Sequence, residues 1–141
     1  MRVIGFNFTK ISIEKNKEPS EVVGKLSINT KIDIAEINEI KSHILKTKDE
    51  LIGVTFAYKV AYEPEVAKIL LEGKILFSAD SKAIKEILKQ WKKKNMPEDF
   101  RLLLFNIVLK KSTLKALHLE EELNLPLHMP MPSFRKEEKE K

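Results

Sequence analysis

Chemistry needs particular side chains at particular spacings, and few of them are present. The histidines are His43, His118 and His128, and no two are spaced as metal ligands. His118 with Glu121 and Glu122 would share a helix face at i, i+3 and i+4. That set reads as a solvated helix end in preference to a metal site, so no metal ligand is assigned. Glycines fall at 5, 24, 53 and 73, which leaves no phosphate-cradling loop. The absence of Cys removes disulfides, thiolate metal sites and cysteine nucleophiles together. No nucleophile motif and no paired carboxylates stand out. The sequence therefore predicts a protein without catalysis and without a cofactor.

Positive charge is concentrated on one stretch. The net charge is +5. Residues 1–80 carry 12 basic and 12 acidic side chains, residues 81–115 carry 10 and 3, and residues 116–141 carry 4 and 6. Of the basic residues 23 are Lys and only 3 are Arg. Lys is a point charge, a poorer reader of phosphates and base edges than the Arg fork. The Lys82–Lys94 face lacks Arg and interleaved aromatics. It reads first as a solvated helix face, next as a surface for an acidic protein partner, and last as a nucleic-acid surface.

The remaining patterns describe the scaffold. At 141 residues one domain is expected, 1–134, followed by a charged, flexible tail at 135–141. No apolar run approaches the roughly 20 residues of a membrane helix, so neither a span nor a signal peptide is read, and a cytoplasmic location is expected. Residues 2–13 alternate, but Ile11 and Ile13 have the opposite parity to Ile4, Phe6 and Phe8. A bulge near Thr9–Lys10 is expected. Residues 25–36, 51–62 and 66–78 also alternate, giving four antiparallel strands. Gly73 marks a bulge or a close approach. Residues 38–49, with Ile37, Ile40 and Ile44 at helix-like spacing, read as a connection with about one helical turn.

After residue 80 the period changes. Asp80 or Ser81 can cap a helix whose apolar stripe is Ile84, Ile87, Leu88 and Trp91. Pro97, Glu98 and Asp99 open a second helix that must end before Pro126. Within it Leu102–Leu109 is apolar at seven of eight positions, so apolar groups cover the whole circumference. One sheet can cover only one side of such a helix. A second copy of the chain is the simplest cover for the other. Leu102, Leu103, Phe105, Asn106 and Leu109 are the expected oligomer interface, with Asn106 able to fix register. The alternative is cover by the first helix and the C-terminal segment. Residues 125–134, LPLHMPMPSF, are extended, apolar and rich in Met, a residue that adapts to varied surfaces. They read as a strap over the sheet that can also wall a groove.

The fold class is thus α+β: a four-stranded antiparallel meander, a short amphipathic helix and a long apolar helix. In this order FTKISIE (8–14), a connection at 14–24, KLSINTKIDI (25–34), the hairpin 51–80 and LNLPLHMP (123–130) resemble the SecB family of protein-export chaperones. The resemblance implies an ATP-independent holdase, a homotetramer built as a dimer of dimers (or a dimer), that holds unfolded or nascent polypeptides in apolar grooves. Groove residues would be Val22, Val23, Leu26, Ile28 and Leu70, facing Leu127, Met129, Met131 and Phe134. Typical bacterial members are acidic and end in a further helix. This chain, basic and ending in RKEEKEK, fits an archaeal or toxin–antitoxin-associated relative better, so a dedicated antitoxin chaperone stays open. A basic-helix adaptor or nucleic-acid-binding protein is the rival class.

Overall fold

The computed structural model describes residues 1–41 and 50–136. Four strands, β1 (Arg2–Lys15), β2 (Ser27–Ile40), β3 (Glu50–Glu63) and β4 (Ala67–Ala79), precede two helices, α1 (Ser81–Trp91) and α2 (Glu98–Glu122). The sheet is antiparallel in the order β1-β4-β3-β2. The expected meander therefore covers β2 to β4, while β1 lies on the far side of β4. The link from residue 16 to 26, with a short turn at Pro19–Glu21, is a crossover.

Alternation decides which face is buried. On β3 Val54, Phe56, Tyr58, Val60 and Tyr62 are almost wholly buried, and on β4 so are Ile69, Leu71, Ile75 and Phe77. Register puts the two sets on one face: Val54 opposes Ile75, Tyr58 opposes Leu71 and Val60 opposes Ile69. β1 reaches that face from both halves because its register shifts between Phe8 and Lys10. This is the expected bulge, and it lets Phe6, Phe8 and Ile13 all pack on the core.

A register shift in β2 bears on the reading of residues 38–49. β2 shifts between Ile34 and Glu36 and then continues to Ile40. The extra residue, Ala35, turns a spacing of two into three, so Ile34 and Ile37 both face the core and imitate a helical period. The rest of that stretch, with His43 and Ile44, lies outside the described residues, as do residues 137–141 of the tail.

Gly73 is a close approach. A Cβ there would stand 2.7 Å from the Asn7 carbonyl oxygen and 2.7 Å from the Phe56 ring. Its missing side chain admits the cluster of Phe6, Phe8 and Phe56, whose ring centres lie 5.0 to 6.3 Å apart.

Both helices pack on the buried face. α1 is capped as expected, Asp80 Oδ1 accepting from the Ala83 amide at 2.8 Å. It buries Ile84 and Ile87, and Trp91 rests against the core with Lys94 Nζ 4.5 Å from the ring centre. α2 has 25 residues, hence a length of about 37 Å. Phe100 meets Phe77 edge-on at 5.3 Å.

Candidate functional site

α2 buries Phe100, Leu104, Val108, Ser112 and Ala116, one residue every four, followed by Leu119 and Glu120. Such a stripe uses one side of the helix. On the other side Leu102, Leu109 and Leu114 are 54%, 43% and 61% exposed. Asn106 is exposed among them, and Leu103 and Phe105 are half-buried. The five residues expected at an oligomer interface thus lie on or beside this outward face. α1 reaches only its edge, where Ala83 and Ile87 share a hollow with Leu103. The C-terminal segment covers only its margin, where Met129 joins Asn106, Leu109, Lys110, Thr113 and Leu114 around a hollow of about 360 Å³.

The margin is fixed by a polar cluster whose members come from three parts of the chain. The side chains of His128 and Glu120 have no exposed surface. His128 Nδ1 lies 2.6 Å from Glu120 Oε1, and the His128 amide donates to Glu120 Oε2 at 3.2 Å. His128 Nε2 lies 2.7 Å from the Tyr58 hydroxyl, which is also 3.3 Å from Thr113 Oγ1. The Tyr62 hydroxyl donates to the Glu120 carboxylate and stands 2.6 Å from the Pro126 carbonyl oxygen.

The local reasons are simple. Tyr58 and Tyr62 are four apart on the buried face of β3, so both hydroxyls point under α2, where a buried O–H must find a partner. Leu123 and Asn124 end α2, Asn124 with φ 53°, and the chain doubles back. That return brings His128 opposite Glu120. At the same end Lys15 Nζ donates to the Leu123 carbonyl at 2.8 Å.

Burial pushes both tyrosines above the ordinary value of 10.0. For Tyr62 the bond to Glu120 and that residue's charge add to burial; for Tyr58 the nearby Glu120 charge adds while the bond to Thr113 opposes. Both are therefore held as neutral hydroxyls. A carboxylate behind an imidazole can orient a general base. Here Tyr58 occupies the imidazole's other nitrogen, and no solvent reaches the ring. No atom of the cluster is free to meet a substrate, so it works as a pin for the strap.

The expected groove residues divide. Val22, Leu26 and Ile28 are partly buried against the core, while neighbouring Val23 is fully exposed. Leu127 is half-buried, and Met129, Met131 and Phe134 are exposed. Leu70 stands apart from all of these. Its parity puts it on the outer face of the sheet, opposite Lys59 and Ser12, beside a shallow hollow also lined by Ala61 and Lys68.

His118, as expected, is exposed at the end of α2, 3.2 Å from Glu122. The lysines of α1, Lys82, Lys85 and Lys89, are exposed, as are Lys92 and Lys93 just beyond it. No helix among the described residues is long and apolar enough to cross a membrane.

Neither a family model nor a curated protein sequence matches the chain. Among solved structures it is similar to a SecB-like chaperone of Mycobacterium tuberculosis in complex with a ChAD peptide from the HigA1 antitoxin. The identity is 10%, the TM-score 0.49, and the likeness covers 96% of this chain and 92% of that one.

Proposed function

We propose that the protein is an ATP-independent holdase that binds unfolded or nascent polypeptides on apolar surface presented by a homo-oligomer, without catalysis. One observation carries this reading: the outward face of α2 exposes Leu102, Leu109 and Leu114, and Met129 beside it leads into an extended segment whose Met131 and Phe134 are exposed. Several large apolar side chains exposed close together, rimmed by polar ones, mark interaction sites. The two parts of this surface suit two tasks. The helical part is rigid and carries one central amide, Asn106, so it suits a defined contact between copies. The strap is irregular and Met-rich, so it suits clients of varied shape. At ~25 cal/mol per Å², covering several hundred Å² of client surface supplies several kcal/mol before entropy costs.

The test joins mass to activity. Light scattering gives the oligomeric mass, and substoichiometric protein is then added without ATP to several unrelated unfolded polypeptides. A dimer or tetramer that suppresses their aggregation supports a general holdase. Suppression for a single client alone supports a dedicated chaperone of the antitoxin kind. A monomer without effect overturns the reading.

The exposed Lys face of α1 favours a second reading, an adaptor for an acidic partner. That binding would weaken steeply with salt, whereas apolar client holding would not.

A further inference from the structure

The chain has four Met and no Cys, so its thioethers are the side chains that a mild oxidant attacks first. They stand in unlike places. Met96 is half-buried against the core. Met1 is exposed beside the start of α2. Met129 and Met131, two residues apart, are both exposed in the strap.

That half of the strap is held lightly. Among the described residues, residues 129–134 make no hydrogen bond. Met129 shares its hollow of about 360 Å³ with Leu109 and Leu114 of α2. Pro130 and Pro132 bracket Met131 and carry no N–H. A change at either sulfur therefore breaks no hydrogen bond of the fold and acts on apolar surface alone. At Met96 the same change would disturb the core.

Thioether chemistry supplies such a change. The sulfur lone pair takes the terminal oxygen of a hydroperoxide. The S–O bond forms as the O–O bond breaks, and sulfur gives up two electrons to the peroxide. The peroxide's proton passes to the remaining oxygen, which leaves as water or an alcohol. The sulfoxide is polar and chiral where the thioether was apolar and flexible, and reductases return it to the thioether.

We propose that Met129 and Met131 are an oxidation site that governs the strap. As thioethers they offer apolar surface, and as sulfoxides they withdraw it while the fold stands. Beyond the pinned residues the strap exposes three large apolar side chains, and only Phe134 stays apolar after oxidation. The effect on clients rests on the holdase reading, whereas the effect on the surface does not.

The test treats the full chain with dilute hydrogen peroxide. Peptide mapping by mass should find oxygen on Met129 and Met131, as on Met1, well before Met96. Native-state fluorescence of an apolar dye should fall roughly twofold or more, as two of the three side chains turn polar. The unfolding midpoint should not move, and suppression of client aggregation should weaken. Methionine sulfoxide reductases for both epimers should return the dye signal and the holding activity. Met129→Leu with Met131→Leu keeps Met1 and Met96. Compared with its own untreated form, that variant should lose neither dye binding nor holding to peroxide. An untreated protein that holds no client, but whose dye signal still falls on oxidation, overturns the holdase reading and supports the oxidation site. A dye signal that is absent, or unmoved once residues 129 and 131 are oxidised, overturns the site and leaves the holdase reading to its own test. An equal loss in the Leu variant also overturns it, by placing the effect at Met1 or Met96.

Discussion

Residues 125–128 and 129–134 belong to one extended segment, yet they are held in opposite ways. Leu125 is buried, the Pro126 carbonyl meets Tyr62, and His128 is enclosed by Glu120 and Tyr58. Beyond Met129 the side chains of Met131 and Phe134 lie in solvent. The first half is polar at its contacts, directional and closed. The second is apolar, non-directional and open. Hydrogen bonds inside a protein fix geometry because a misplaced buried group goes unpaired, at a cost of about 1–3 kcal/mol or more when charged. Apolar contacts scale with area and tolerate many shapes. A strap built this way has one fixed end and one adaptable end, as a wall for varied partners requires.

The sharpest way to break the contrast is to remove its buried carboxylate. Glu120→Ala strips partners from Tyr62 and His128 together, and should destabilise the protein by about 3–5 kcal/mol, read from denaturant midpoints. Glu120→Gln keeps acceptor and shape and should cost clearly less. Should Glu120→Ala leave the midpoint unchanged, the cluster is not a pin. A comparison with Gly73→Ala calibrates the effect, since there only packing is disturbed. The new methyl meets backbone oxygen and a fixed ring, so about 1–3 kcal/mol is expected from overpacking.

Alkaline titration probes the same cluster without mutation. Tyr58 and Tyr62 have folded pKa values above the ordinary 10.0. Below that value both states keep the proton and the contribution is intact. Above it the unfolded chain ionises while the folded one does not, so stability falls as pH climbs past 10.0. Unfolding midpoints measured on either side of that value should show the decline, and tyrosinate absorbance should lag it in the folded protein. Tyr58→Phe with Tyr62→Phe should flatten the dependence.

Much of this architecture is legible in sequence because sheets and helices repeat. Alternation locates all four strands, and the parity change at Thr9–Lys10 locates a bulge. The spacing of Ile37, Ile40 and Ile44 misleads: Ile37 and Ile40 lie on opposite faces of β2, and the bulge at Ala35 puts Ile34 and Ile37, three apart, on the same one. The side of β4 on which β1 pairs is not carried by alternation, since any antiparallel neighbour offers the same pattern. The pin is harder still. Its members are 58, 62, 120 and 128, non-periodic and brought together only by the fold. A signal existed in part: two tyrosines on a buried strand face need hydroxyl partners. Nothing local says that Glu120, and not the adjacent Glu121 or Glu122, turns inward to meet them.

Charges on the outward face of α2, the proposed contact between copies, test assembly separately from folding. Leu102→Lys with Leu109→Lys alters exposed positions, so stability should move by about 0.5 kcal/mol or less per site. Oligomeric mass should fall, because two like charges would face a copy of themselves or the opposing apolar surface. A mass that stays put would move the interface elsewhere on the chain.

The smallest stability effect is the most informative about function. Met131→Ser removes a thioether that is 56% exposed, so the unfolding midpoint should stay within about 0.5 kcal/mol of the parent. Suppression of client aggregation should nonetheless weaken, since the apolar area offered to a client shrinks while the pin keeps the strap in place. His128→Ala has the converse logic: it keeps every exposed apolar side chain and frees the strap that presents them. If both variants lose holding activity, the client needs the surface and its placement alike. If only Met131→Ser does, exposed area alone suffices, and the buried cluster serves stability and not binding.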